Sequence, residues 1–91
     1  MSEGAGDAEK LRALLAPLPK EPAAQWQEVS QRCQAVLGPR AWLRRADRPG
    51  YTPLCEVGVA GPGGEFEPRA VGPDWPWALA VLHTRMTGGA R

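Results

Sequence analysis

The chain has 91 residues, of which 43% are hydrophobic, and a formal charge of +1 from 11 basic and 10 acidic residues. This length predicts one domain with a single core. The near-zero charge excludes a whole-molecule field that would attract nucleic acid or an anionic membrane, so any such binding must be local. No segment reaches the roughly 18 to 20 apolar residues of a membrane span. The acidic N-terminus is unlike a targeting peptide, which predicts a cytoplasmic protein.

The first part of the chain predicts two helices. Residues 1–6 are expected to be disordered, and the first helix is expected to begin at Asp7, whose side chain can cap it. A proline-rich linker follows. Pro22 lies in the first turn of the second helix, and Gly38-Pro39 ends it. Apolar residues at helical spacing predict its buried stripe: Trp26, Val29, Cys33, Val36 and Leu37.

From Ala41 the helical period is lost, and dense proline and glycine residues predict a short antiparallel meander. Arg48-Pro49-Gly50-Tyr51 is typical of a turn, with proline second and glycine third. Beyond it, apolar and polar residues alternate as in a half-buried strand. The GPGG segment at 61–64 leads to another alternating run, which Pro68 confines to a sheet edge or a bulge.

The last helix is predicted to run from Trp75 to Met86 behind an Asp74 cap, with a flexible tail at 88–91. Residues 7–87 then form one α+β domain with the element order ααβββα: two N-terminal helices, a β-meander and a C-terminal helix.

This last helix is apolar on two opposite faces. Helical spacing puts Trp75, Leu79, Leu82 and Met86 on one face, and Trp77, Ala80 and Val81 nearly opposite. A helix of this kind is normally covered on all sides. The cover is either the rest of the domain, with the meander on one side and the first two helices on the other, or another chain.

No catalytic set is assembled in the sequence. His83 is the single histidine, and a nucleophile needs a base and an orienting group beside it. Cys33 and Cys55 occupy apolar positions, as reduced core thiols do, and form no set of zinc-ligand spacing. The GPGG loop has no following GK[ST] and no helix after it, so it predicts a hairpin turn rather than a phosphate site. No metal or cofactor is therefore expected.

The segment RAWLRRADR at 40–48 has a local charge of +3, from four arginines and one aspartate (4 − 1). Arginine and indole together favour contacts with phosphates and unpaired bases. The nucleic-acid candidates are Arg40, Trp42, Arg44, Arg45, Arg48 and Tyr51. The alternative is a charged edge strand that pairs with Glu56, Glu65 or Glu67 on its neighbours.

Taken together, the sequence predicts a non-catalytic protein-interaction module or a small accessory subunit. Its partner is another protein or a second copy, bound through Trp77 and Val81 with help from Trp42 and with Arg85 at the rim. A small nucleic-acid-binding protein is the second hypothesis. A third is a small enzyme or ligand carrier with a site near His83 and Glu56.

Overall fold

The structure is a computed structural model that describes the backbone of residues 2–88 and the side chains of residues 8–88. The elements are α1 (Ser2–Ala13), α2 (Pro22–Leu37), β1 (Ala41–Ala46), β2 (Leu54–Ala60), β3 (Phe66–Gly72) and α3 (Trp75–Met86). The strands form one antiparallel sheet in the order β1-β2-β3. The predicted α+β class and the order ααβββα are confirmed.

Local signals set the ends of α2 and α3 where they were expected. Gly38 ends α2 with a φ of 96°, a left-handed conformation that glycine adopts without a steric penalty. Asp74 caps α3, since its Oδ1 accepts a hydrogen bond from the backbone N–H of Trp77 at 2.8 Å. The turn at 48–51 also forms, with the Tyr51 N–H donating to the Arg48 carbonyl at 3.0 Å.

Helix α1 differs from its prediction. It begins at Ser2, five residues before the predicted start at Asp7. The segment contains glycine but no proline, and glycine lowers helix stability by only about 1 kcal/mol per residue without blocking a hydrogen bond. Capping by Asp7 and the tail residues 89–91 lie outside the described side chains and residues.

One face of the sheet forms the core. Its buried residues come from all three strands and pack against buried residues of α2 and α3. Helix α2 lies over β1 and β2, α3 lies over β2 and β3, and α1 contacts both helices. The two helices therefore lie side by side on the same face of the sheet. The core residues are Leu14, Val29, Cys33, Ala41, Leu43, Cys55, Val57, Ala70, Trp75, Ala78, Leu79 and Leu82.

The opposite face of the sheet is left uncovered by the three helices of residues 2–88. Side chains alternate across a strand, so Trp42 and Arg44 lie on the face opposite to Ala41 and Leu43. The strand pairing places Glu56, Phe66 and Val71 on the same open face as Trp42. We call this surface the open sheet face.

Gly58 is required where β2 meets β3. The register between these strands shifts at Val57/Gly58, and the two backbones approach closely there. A Cβ at Gly58 would lie 2.8 Å from Pro68 Cα and closer still to the Glu67 carbonyl oxygen. Both obstacles are backbone atoms, which cannot rotate away as a side chain can.

We expect Gly58→Ala to lower the free energy of unfolding by about 1–3 kcal/mol, because the strands must separate to admit a methyl group. Gly63→Ala is the matched control, since its nearest neighbour is the flexible Glu65 carboxylate at 2.8 Å. Its expected change is within about 0.5 kcal/mol. Urea denaturation followed by tryptophan fluorescence measures both variants. Equal stability of the two variants would contradict this account of the bulge.

Candidate functional site

The four tryptophans divide into one core residue and three surface residues. Trp75 is 4% exposed, as its place in the core stripe of α3 predicted. Trp26 is 43% exposed, although its stripe on α2 indicated core packing. It lies one turn before Val29 and contacts the edge of the core through Trp75, with the ring centroids 5.4 Å apart at 86°. Trp42 and Trp77 are each 60% exposed.

The second apolar face of α3 is only partly covered. Trp77 and Ala80 are exposed and Val81 is half-buried against the core, because the sheet contacts the other side of the helix. One predicted arrangement had the first two helices covering the side of α3 that faces away from the meander. Trp77 is not covered in this way. We call Trp77, Ala80 and Val81 the helix patch.

Gly72 makes room for the Trp77 ring at the end of β3. A Cβ on Gly72 would lie 2.6 Å from Trp77 Cδ1 and 2.8 Å from the backbone nitrogen of Ala78. The first turn of α3 therefore packs closely on this glycine, and most of the indole stays exposed.

Two aromatic rings lie on the open sheet face. Trp42 and Phe66 border a shallow pocket of about 210 Å³ with Ala60 and Gly64. The guanidinium of Arg44 stacks 4.6 Å from the centre of the Phe66 ring and donates to Glu56 Oε1 at 2.6 Å. That hydrogen bond raises the pKa of Arg44. Of the partners Glu56, Glu65 and Glu67 that the charged-edge-strand alternative named, Arg44 pairs with Glu56.

The candidate nucleic-acid residues do not form a single surface. Trp42 and Arg44 lie on the open sheet face, but Arg45 alternates to the other face and bonds to Asp47 at 3.0 Å. Arg48 stacks on Tyr51 in the turn after β1, with its Cζ 5.1 Å from the ring centre. Trp42 and the helix patch are also separated, because the sheet lies between them.

The outer edge of β1 carries unpaired backbone groups. The Ala60 N–H donates to the Arg40 carbonyl at 2.9 Å, and pairing alternates along an antiparallel ladder. The residues of β1 that bond to β2 are therefore Trp42, Arg44 and Ala46, while the backbones of Leu43 and Arg45 point outward. Within residues 2–88 the backbone N–H and C=O groups of Leu43 and Arg45 have no hydrogen-bond partner.

The outer edge of β3 is closed by comparison. Pro68 has no N–H to offer, and the register shift distorts the strand beside it. The Arg69 carbonyl already accepts a hydrogen bond from Arg85 Nη1 at 2.8 Å. Arg85, predicted at the rim of a partner site, thus closes this edge.

Trp26 and Trp42 lie on either side of the open β1 edge. A groove of about 420 Å³ runs between α2 and β1 and includes both indoles, Ala41 and Leu43. We call it the edge groove. Sequence reasoning missed it because Trp26 was assigned to the core, and it also missed Phe66 as the second ring beside Trp42. The alternation of Phe66 with Glu65 and Glu67 was the available signal for the latter.

The described residues do not assemble the enzymatic alternatives. His83 lies on α3, on the helix side of the sheet, whereas Glu56 lies on the open sheet face. Glu67 pairs with Val59 and therefore faces away from Glu56, so these carboxylates cannot act as a pair. Among residues 8–88 no group of three or more metal-ligating side chains is present.

Both cysteines are buried and free, as expected for core thiols. Burial raises the pKa of Cys33 from 9.0 to about 12. Burial is also the main cause that raises the pKa of Cys55, partly opposed by Arg45. Thiols with a raised pKa are poor nucleophiles at neutral pH.

No helix within residues 2–88 combines the length and the apolar character needed to cross a membrane. No protein-family model, no curated protein and no solved structure matches the chain.

The thiol of Cys33 predicts a pH dependence of stability. Its pKa is about 12 in the folded state against 9.0 for a free thiol, so the stabilisation is complete below pH 9 and is lost as pH rises toward 12. We expect the stability advantage of the wild type over Cys33→Ala to shrink above pH 9, by up to about 1.4 kcal/mol per pH unit. Denaturant titrations of both proteins between about pH 7 and 10.5 measure it. A difference that stays constant with pH contradicts the prediction.

Proposed function

We propose that this chain is a non-catalytic protein-binding domain that contacts its partner through exposed indoles. The observation that carries the proposal is Trp77, which is 60% exposed although the core around Trp75 is complete. An exposed tryptophan is the type of side chain that dominates protein interfaces. The proposal includes a reducing, cytoplasmic environment, which suits the two free cysteines.

The helix patch is the primary surface of the proposal. Ala80 and Val81 lie one turn after Trp77 along α3, which is the spacing of the side chains with which a helix binds in a partner's groove. Ala80 is small and permits a close approach at the centre. Gly72 leaves the space that the indole needs where α3 packs on the end of β3.

Trp77→Glu is expected to abolish this interaction while leaving the fold intact, because the indole is largely exposed. Affinity capture from the native host, read by mass spectrometry, compares it with the wild type and with Gln31→Glu. Gln31 is exposed on α2, so Gln31→Glu adds the same negative charge at a site away from the helix patch. At least one captured protein should disappear with Trp77→Glu and persist with Gln31→Glu.

Light scattering over a concentration series distinguishes a second copy from a different protein. A wild-type dimer that Trp77→Glu converts to a monomer identifies self-association through the helix patch. A monomeric wild type whose captured proteins are the same in all three forms refutes the helix-patch proposal.

The open sheet face supports a second candidate function, the binding of single-stranded nucleic acid. Trp42 offers an exposed ring for base stacking, and beside it Arg44 stacks on Phe66 on the same face. The neighbouring carboxylate of Glu56 opposes this function, because it neutralises Arg44 and repels phosphate.

If nucleic acid binds there, a fluorescein-labelled oligothymidylate should lose about tenfold in affinity on Trp42→Ala, since stacking contributes about 1–3 kcal/mol per base. Arg44→Ala should weaken binding and reduce its salt dependence. Arg45→Ala is the control, because Arg45 faces away from the rings, and it should have little effect. Fluorescence anisotropy at two salt concentrations measures these affinities. Equal losses of affinity for Arg44→Ala and Arg45→Ala would contradict nucleic-acid binding on the open sheet face.

A further inference from the structure

We propose that the β1 edge takes up an extended acidic peptide segment of another protein as a fourth strand of the sheet. The inference rests on the proposed protein-binding role but uses the edge groove, which lies apart from the helix patch. Strand addition at a sheet edge needs unpaired backbone groups and flanking pockets for alternate side chains. Both are present at β1 and neither requires the fold to change.

The backbone supplies the first part of the argument. The N–H and C=O groups of Leu43 and Arg45 point outward without partners within the described residues, as does the Ala41 carbonyl. Unpaired edges of this kind are usually blocked by proline, bulges or cover. At β3 Pro68, the register shift and Arg85 interrupt the edge in this way, whereas Ala41–Ala46 of β1 contains no proline and no register shift.

The edge groove provides space for the alternate side chains of an added strand. An added strand would direct alternate side chains to the two faces of the sheet. On the helix side, its residues would meet Leu43 and the half-exposed ring of Trp26. On the open side, they would lie beside Trp42. Apolar residues therefore suit the positions that face α2, where the groove of about 420 Å³ is bordered by these side chains.

Charge selects the chemistry of the occupant. Arg44 extends from the same side of β1 as Trp42, and its Nε is already bonded to Glu56. Arg40 lies in the turn before β1, borders the edge groove and has no ion-pair partner within residues 8–88. Acidic residues on the Trp42 side of the added strand would lie in the positive field of segment 40–48, whose charge of +3 exceeds the single negative charge of Glu56. The occupant is thus an extended segment in which apolar and acidic residues alternate.

Charge also argues against a second copy of this chain. Two β1 strands paired edge to edge would bring together two segments 40–48, each with a local charge of +3 from four arginines and one aspartate. Like charges opposite each other across a strand pair are destabilising. Glu56 forms an ion pair with Arg44 and lowers the charge of each edge by one, from +3 to +2 (3 − 1), so the two edges still repel each other.

The test uses the full chain and a fluorescein-labelled octapeptide in which valine and glutamate alternate, with binding measured by fluorescence anisotropy. One control octapeptide alternates valine and lysine, which reverses the charge. The other joins a block of valines to a block of glutamates, which keeps the composition and removes the alternation. We expect saturable binding of the alternating acidic peptide, and at least about tenfold weaker binding of both controls. Failure of the alternating acidic peptide to bind better than the block peptide overturns the proposal.

Two backbone variants of the alternating acidic peptide test strand pairing itself. Only alternate residues of an added strand direct their N–H groups toward β1. Methylation of the amide nitrogens of all valines, or instead of all glutamates, should therefore abolish binding in one peptide and leave it within about threefold in the other. Equal behaviour of the two methylated peptides excludes a β-ladder and overturns the proposal.

Protein variants locate the site. Trp26→Ala and Trp42→Ala should each weaken binding about tenfold, because each removes a wall of the groove. Arg40→Glu should weaken it about threefold to tenfold at low salt. Trp77→Glu, which disables the helix patch, should leave peptide affinity unchanged.

Two outcomes separate this site from the other surfaces. Loss of peptide binding with Trp77→Glu alone would support the proposed function and refute this site. An oligothymidylate competitor that displaces the peptide with the same dependence on Arg40 would assign the edge to nucleic acid and overturn the peptide proposal.

Discussion

The structure depends on one constraint, which is that its helices cover only one face of a three-stranded sheet. Apolar residues of all three strands meet Val29 and Cys33 of α2 and Leu79 and Leu82 of α3 in a single core. A domain of this size builds two layers, and residues 2–88 supply no third layer for the remaining face. Trp42, Phe66 and Val71 lie on that uncovered face. The exposed apolar surface of the protein is therefore a direct result of how its core is made.

The same architecture makes the two sheet edges unequal. At β3 the register shift that Gly58 permits combines with Pro68, which has no N–H, and with the hydrogen bond from Arg85, and together they interrupt the ladder that another strand would form. At β1 the outward backbone groups remain, and α2 places Trp26 next to them. Strand pairing, helix position and arginine content thus converge on one edge. The helix patch is a separate consequence, because the sheet contacts the other side of α3 and leaves Trp77 exposed.

Local chemistry explains which features were accessible from the sequence. Pro22, Gly38 and Asp74 fixed helix ends because capping and left-handed φ values involve neighbouring residues only. Alternation identified the strands for the same reason. Trp26 does belong to the apolar stripe of α2, as predicted. The stripe continues beyond the edge of the sheet that covers it, so the assignment of Trp26 to the core was wrong. The start of α1 at Ser2 was missed because Asp7 offered a capping side chain further along the chain.

The sequence by itself determined the class of the domain, the order of its elements, the closed chemistry of its two thiols and the two-sided character of α3, since each of these follows from composition or from short-range periodicity. Pairing across the sheet then separated residues that are adjacent in the chain, such as Arg44 and Arg45, and separated His83 from Glu56. It also brought Trp26 beside Trp42, which are far apart in sequence. Only the tertiary structure could settle these relations, because strand register and the side of the sheet on which helices pack are long-range properties.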